Sequence, residues 1–115
     1  MISNAKITKT FLGKEDHGIM TFFIYIESGC TGCAVGGWAL DEYDRKLKQR
    51  VCVPKSFEAI TRILDVVGVD KWEDLPGKYI RFEDNGWGSI VEKIGNIIED
   101  KWFDMRAFFS EEEKK

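Results

Sequence analysis

Apolar and polar residues alternate singly through the first half of the chain and change to a helical rhythm after Pro54. Residues 5–12 put Ala5, Ile7, Lys9 and Phe11 on one side and Lys6, Thr8 and Thr10 on the other, the pattern of a half-buried strand. A polar turn, Gly13 to Gly18, leads into the strongest strand signal, residues 19–27, rich in β-branched and aromatic side chains. Met20, Phe22, Ile24 and Ile26 are expected to face the core there, with Phe23 and Tyr25 partly covered on the other side. Residues 34–40 read as a third strand with Trp38 and Leu40 on one face. Gly36-Gly37 inside it marks a bulge or a close approach of another backbone. Residues 41–50 read as a charged connection, and 51–53 as a short strand stopped by Pro54.

Beyond Pro54, Phe57, Ile60, Ile63, Leu64 and Val67 recur at helical spacing over residues 56–67. Ser56 is placed to cap the first turn and Gly68 to close the last, while Glu58 and Arg62 form an i, i+4 pair. Asp70-Lys-Trp-Glu73 predicts a single capped helical turn ended by Pro76-Gly77. Residues 78–83 and 89–98 read as two strands around a turn at 84–88, and 104–109 as a last short helix. The pattern predicts an α+β fold: a mostly antiparallel sheet of five or six strands with one amphipathic helix packed on one face. Residues 1–109 form a single domain in this reading, followed by a frayed charged tail at 110–115.

Composition leaves that picture intact: 115 residues, 43% hydrophobic and 32% charged, suit one globular domain. No apolar run reaches signal-peptide or membrane-span length, so a cytoplasmic protein with reduced thiols and no membrane partner is expected. Charge adds detail. Residues 1–55 carry 8 Lys/Arg against 6 Asp/Glu, and residues 56–115 carry 9 against 14. Arg45, Lys46, Lys48, Arg50 and Lys55 form a basic cluster that could meet phosphates, most such runs being solvated hairpins. With a net charge of −3, tight binding to duplex DNA by the chain alone is not expected.

Three cysteines supply the main candidate chemistry. Cys30 and Cys33 form a C-x₂-C turn, and Cys52 follows 19 positions after Cys33. That is three of the four thiolates of a ribbon-type zinc site, so Cys30, Cys33 and Cys52 are the predicted ligands of a structural zinc, brought together if the third and fourth strands form a hairpin. Reduced thiols with nothing bound and a redox pair are the alternatives. His17, the lone histidine, lies across the second strand from Cys30, roughly 33 Å away if that strand is extended, too far for a shared metal. It reads better as a turn residue. Glu99-Asp100 and Asp41-Glu42 are adjacent carboxylates that a strand would point to opposite faces. No catalytic set emerges, and the chain is not expected to be an enzyme. Of four tryptophans, Trp38, Trp72 and Trp102 are expected in or beside the core. Trp87, between two glycines at a hairpin tip, is expected to be an exposed partner anchor with Glu83 and Asp84 beside it.

Four stretches carry a resemblance: Leu12-Gly-Lys-Glu-Asp-His-Gly-Ile-Met-Thr21, Val35-Gly-Gly-Trp-Ala-Leu-Asp41, Val67-Gly-Val-Asp-Lys-Trp-Glu-Asp-Leu-Pro-Gly77 and Ile94-Gly-Asn-Ile-Ile-Glu-Asp-Lys-Trp-Phe-Asp104. Through them the chain resembles small proteins encoded by bacterial phages and prophages, some of which are anti-CRISPR inhibitors, zinc-containing ones of type II effectors included. The resemblance implies a non-enzymatic protein in the host bacterium's cytoplasm that binds a CRISPR effector nuclease and blocks nucleic-acid loading. The acidic 65–113 surface would compete there for a basic channel. In the resembling group the loop at 29–34 is Gly/Ser-rich without cysteines, so a zinc here would pin this chain's own loop. The alternative reading is a nucleic-acid-binding accessory using the basic 45–55 segment.

Overall fold

The computed structural model describes residues 2–15, 17–29, 31–83 and 91–113, and the side chains of all of these except Thr31 and residues 111–113. The chain builds β1 (Ile2–Glu15), β2 (Ile19–Ser28), β3 (Thr31–Gly36), β4 (Asp41–Asp44), β5 (Gln49–Cys52), α1 (Ser56–Val67), β6 (Tyr79–Glu83), β7 (Lys93–Asn96), β8 (Trp102–Asp104) and α2 (Met105–Glu113). Six strands form one antiparallel sheet in the order β3-β2-β1-β6-β7-β8, and β4-β5 make a separate two-stranded ribbon. The α+β fold, with a main antiparallel sheet of six strands, is the predicted one. Among the described residues no helix is long and apolar enough to cross a membrane.

One face of the sheet carries the core. Ile7, Phe22, Ile24, Val35, Ile80 and Ile94 are fully buried against Ala59 and Ile63 of α1 and Met105 of α2. The helix over 56–67 has the predicted bounds. Gly68 ends it in the left-handed region at φ 90°, donating its N–H to the Leu64 carbonyl at 2.8 Å. Arg62 and Glu58 pair at 2.9 Å. Its start differs from the expected cap: Ser56 lies inside the helix, and its hydroxyl donates backwards to the Val53 carbonyl at 2.9 Å. A single 3₁₀ turn, Trp72–Asp74, occupies the predicted capped turn without a side-chain cap. The second helix runs to Glu113, past the predicted tail boundary.

The first strand departs from its expected alternation, and the departure positions the surface described below. Ile7 stands opposite Ile26, but Lys9, not Thr8, stands opposite Tyr25. Thr8 is the extra residue of a β-bulge, and its hydroxyl donates to the Tyr25 carbonyl at 3.2 Å. A bulge reverses side-chain parity along a strand. Ala5 and Ile7 therefore enter the core, whereas Lys9 and Phe11 go to the opposite face beside Tyr25 and Phe23.

Candidate functional site

Two of the three predicted metal ligands, Cys33 and Cys52, lie apart. Residues 31–40 track β2: Cys33 stands opposite Ile26, and the Leu40 N–H reaches the Met20 carbonyl at 2.7 Å. The chain then leaves the sheet, so Cys52 pairs with Asp41 in the β4-β5 ribbon and not with the third strand. Asp41 is held to Met20, six positions along β2 from Ile26, which separates Cys33 from Cys52 by roughly 20 Å. The third strand and the 51–53 segment therefore do not form the expected hairpin: the third strand pairs with β2, and residues 49–52 pair with 41–44. Cys33 and Cys52 are both exposed, at opposite ends of β2. Cys30 lies outside the described residues. Among the described residues no group of three or more His, Cys, Asp or Glu side chains could hold a metal ion. His17 is a turn residue at φ 64°, at the Cys52 end of β2.

The expected anchor Trp87 and its neighbour Asp84 also lie outside the described residues. Glu83 ends β6 on the side away from the core, with a carboxylate oxygen 3.8 Å from Lys93 Nζ.

The basic 45–55 segment is a hairpin rather than a loose connection. Asp44 Oδ1 accepts the N–H groups of Lys46 and Leu47, closing the turn. Two of its five cations are committed internally. Arg50 donates to Asp41 Oδ1 at 2.8 Å, and Lys55 lies over the Phe108 ring at 5.0 Å. Arg45, Lys46 and Lys48 lie at the exposed tip.

Asp41 is the one buried carboxylate of this ribbon. The hydrogen bond from Arg50 holds its pKa below the ordinary 3.8; burial opposes the shift, and the Met20 N–H and the charge of Lys14 add to it. A depressed carboxylate stabilises the fold above its unfolded pKa, and that contribution is lost as pH falls through the folded value. The window lies below pH 3.8. The urea midpoint is expected to drop between neutral pH and about pH 3, and to drop less in Asp41→Asn. An equal drop in both proteins would remove Asp41 from the acid response.

What sequence reasoning missed is the other face of the sheet. Phe11, Phe23, Tyr25, Tyr79 and Trp102 all project there, and none belongs to the core or to the side chains packed against it. Cations are interleaved with them: Lys9 lies 4.8 Å from the Tyr25 ring centre, Lys6 6.0 Å from that of Tyr79, and Arg81 and Lys93 4.9 and 5.3 Å from that of Trp102. The Trp102 ring lies flat because β7 has a glycine beneath it. A Cβ on Gly95 would come 2.6 Å from a ring carbon. Arg81 is fixed further by donating from Nε to the Asn96 carbonyl at 2.6 Å and from Nη2 to the Glu99 carbonyl at 2.8 Å.

The strand order makes these groups a diagonal stripe. Phe11 and Phe23 stand opposite each other, Lys9 and Tyr25 form the next row, Lys6 and Tyr79 the next, and Arg81, Gly95 and Trp102 the last. Strand spacing and residue rise give it a length on the order of 25 Å. No described element covers it; Tyr79 remains 56% exposed. Among the carboxylates of this face, Glu27 is level with Lys6, Glu83 and Asp104 lie at the β6-β8 corner, and Asp100 accepts the Trp102 Nε1–H at 3.0 Å. No family model, curated protein or solved structure matches this chain.

Proposed function

We propose that this protein acts by occupancy, as a non-catalytic binding module whose contact surface is the uncovered face of the six-stranded sheet. One observation carries the reading: five aromatic rings and four cations are held in register on a face that no described element covers. Rings of this kind are ordinarily buried, and half-exposed aromatics beside Arg are what binding surfaces concentrate. The setting is the one the phage-protein resemblance implies, a stoichiometric inhibitor of a CRISPR effector nuclease that keeps nucleic acid from loading. Glu83 lies at the margin of the same face.

The test is a target-cleavage assay with a type II effector and increasing amounts of this protein. Inhibition is expected to saturate near one chain per effector, and to weaken when the protein is added after target DNA. The double variant Tyr25→Ser/Tyr79→Ser, whose side chains lie outside the core, should keep its melting temperature and lose at least about tenfold in potency. Inactivation of a large excess of effector by a few molecules would overturn the reading, as would full potency of the folded double variant.

A further inference from the structure

We infer that the uncovered face takes single-stranded nucleic acid, with unpaired bases on the rings of Tyr25 and Tyr79 and phosphates at Lys6, Lys9, Arg81 and Lys93. The inference rests on the proposal that this face is the contact surface, and it names the chemistry of the occupant.

Three features point to a single strand. The stripe alternates stacking surfaces with positive charge, and a single strand alternates bases with phosphates. Aromatic rings accept any base by its π-face, and regularly placed cations track the backbone. Next, the positive groups are local. The chain as a whole carries −3, yet Lys6, Lys9 and Arg81 fall within one stripe beside Glu27, with Lys93 at the corner where Glu83 lies 3.8 Å from it and Asp104 stands opposite. Finally, the cations are already oriented. Arg81 rests on Trp102 and two backbone carbonyls, so little side-chain freedom is lost on binding. A groove of about 360 Å³ beside Tyr25, lined by Thr8, Lys9, Glu27, Gly32 and Ala34 among others, leaves space next to the first ring. The stripe's length suits on the order of four nucleotides. Duplex DNA fits poorly, because its bases are stacked inside and a sheet face reaches only phosphates.

The experiment is fluorescence anisotropy of a labelled oligothymidylate of about 12 nucleotides, long enough to cover the site, against a blunt duplex of equal length. Saturable binding to the single strand is expected, at least about tenfold tighter than to the duplex. The slope of log K against log salt should be near −3 for four phosphate contacts. Lys9→Gln should flatten that slope by about 0.7. Tyr25→Ala and Tyr79→Ala should each weaken binding by at least about fivefold with the slope unchanged. Absence of saturable binding up to about 10⁻⁴ M overturns the inference. So does equal affinity for the duplex, or unchanged affinity in both folded ring variants. The two claims fail separately. If the Tyr25→Ser/Tyr79→Ser variant loses inhibition while the wild type binds no oligonucleotide, the occupant is a protein surface and this inference falls alone. If the wild type binds the oligonucleotide through these rings while the variant still inhibits, the occupancy proposal falls and this inference stands.

Discussion

Gly36→Ala is expected to lower stability by about 3 kcal/mol or more, and the melting temperature by more than about 10 °C. Gly36 sits at φ 131°, a region L residues rarely adopt. A Cβ there would lie 2.3 Å from the Phe22 carbonyl oxygen and 3.1 Å from the Phe23 Cα. Both neighbours are backbone of β2, so no side chain can rotate aside. Relief requires β3 to move off the strand that carries Phe22 and Ile24, which are fully buried. Gly18→Ala is the matched control. Gly18 has φ 82°, but its Cβ would meet nothing within 4 Å, so that substitution should cost only about 1 kcal/mol of backbone strain. Chemical denaturation of the two variants separates clash from strain, and equal losses would assign the effect to φ alone.

Asn96→Ala is expected to cost about 2–4 kcal/mol, because three backbone groups lose their partner together. The Asn96 side chain is 9% exposed and satisfies three backbone groups at once. Nδ2 donates to the Val66 carbonyl at 2.8 Å, and Oδ1 accepts the N–H groups of Ile98 and Glu99 at 2.9 and 2.8 Å. The Val66 carbonyl lies in the last turn of α1, where carbonyls have no partner within the helix. One amide thus closes the turn after β7 and fastens the end of α1 to the sheet. Hydrogen exchange should report the loss as faster exchange at Ile98 and Glu99, with the Phe22–Ile24 amides still protected. Uniformly faster exchange across the chain would mean that Asn96 supports global stability without a local role. Arg81 hangs on the same turn through the Asn96 and Glu99 carbonyls, so its position on the uncovered face should loosen as well.

Elements whose pattern is set by local burial were legible in the sequence. β2 buries Phe22, Ile24 and Ile26 and leaves Phe23 and Tyr25 half covered, as alternation says. The helix over 56–67 and its Gly68 end follow from spacing and from the φ that glycine permits. Gly36-Gly37 was readable as a close approach. The β4-β5 ribbon was not: its first strand is Asp-Glu-Tyr-Asp, and a largely exposed two-stranded ribbon needs no apolar alternation. The extension of the last helix through residues 111–113 was hidden by three consecutive glutamates, which fit a solvated helix end as well as a tail.

The candidate surface was the least legible part, for a different reason. Tyr25, Lys9, Tyr79, Arg81 and Trp102 come from four strands, and only the order β2-β1-β6-β7-β8 brings them into line. Trp102 illustrates the point. Its expected place was in or beside the core, but parity on β8 buries Phe103, and Gly95 opens a bed for the tryptophan on the other face. Among the described residues Trp38 and Trp72 do pack against the core as expected. The expected meeting of Cys52 with Cys33 turned on the same non-local information, because spacing alone cannot say with which strand the 49–52 segment pairs.

The bulge at Thr8 sets how this chain can tolerate insertions and deletions. Removing Thr8 would take out the bulge and still leave Ile7 opposite Ile26 and Lys9 opposite Tyr25, so Lys9 and Phe11 would keep their places on the uncovered face. Adding one residue there and pairing every position would also keep the faces, but it would move Lys9 from Tyr25 to Phe23, two places along β2. Position 8 should therefore accept the loss of a residue more readily than a gain, because only the loss keeps the rings and charges of that face in line.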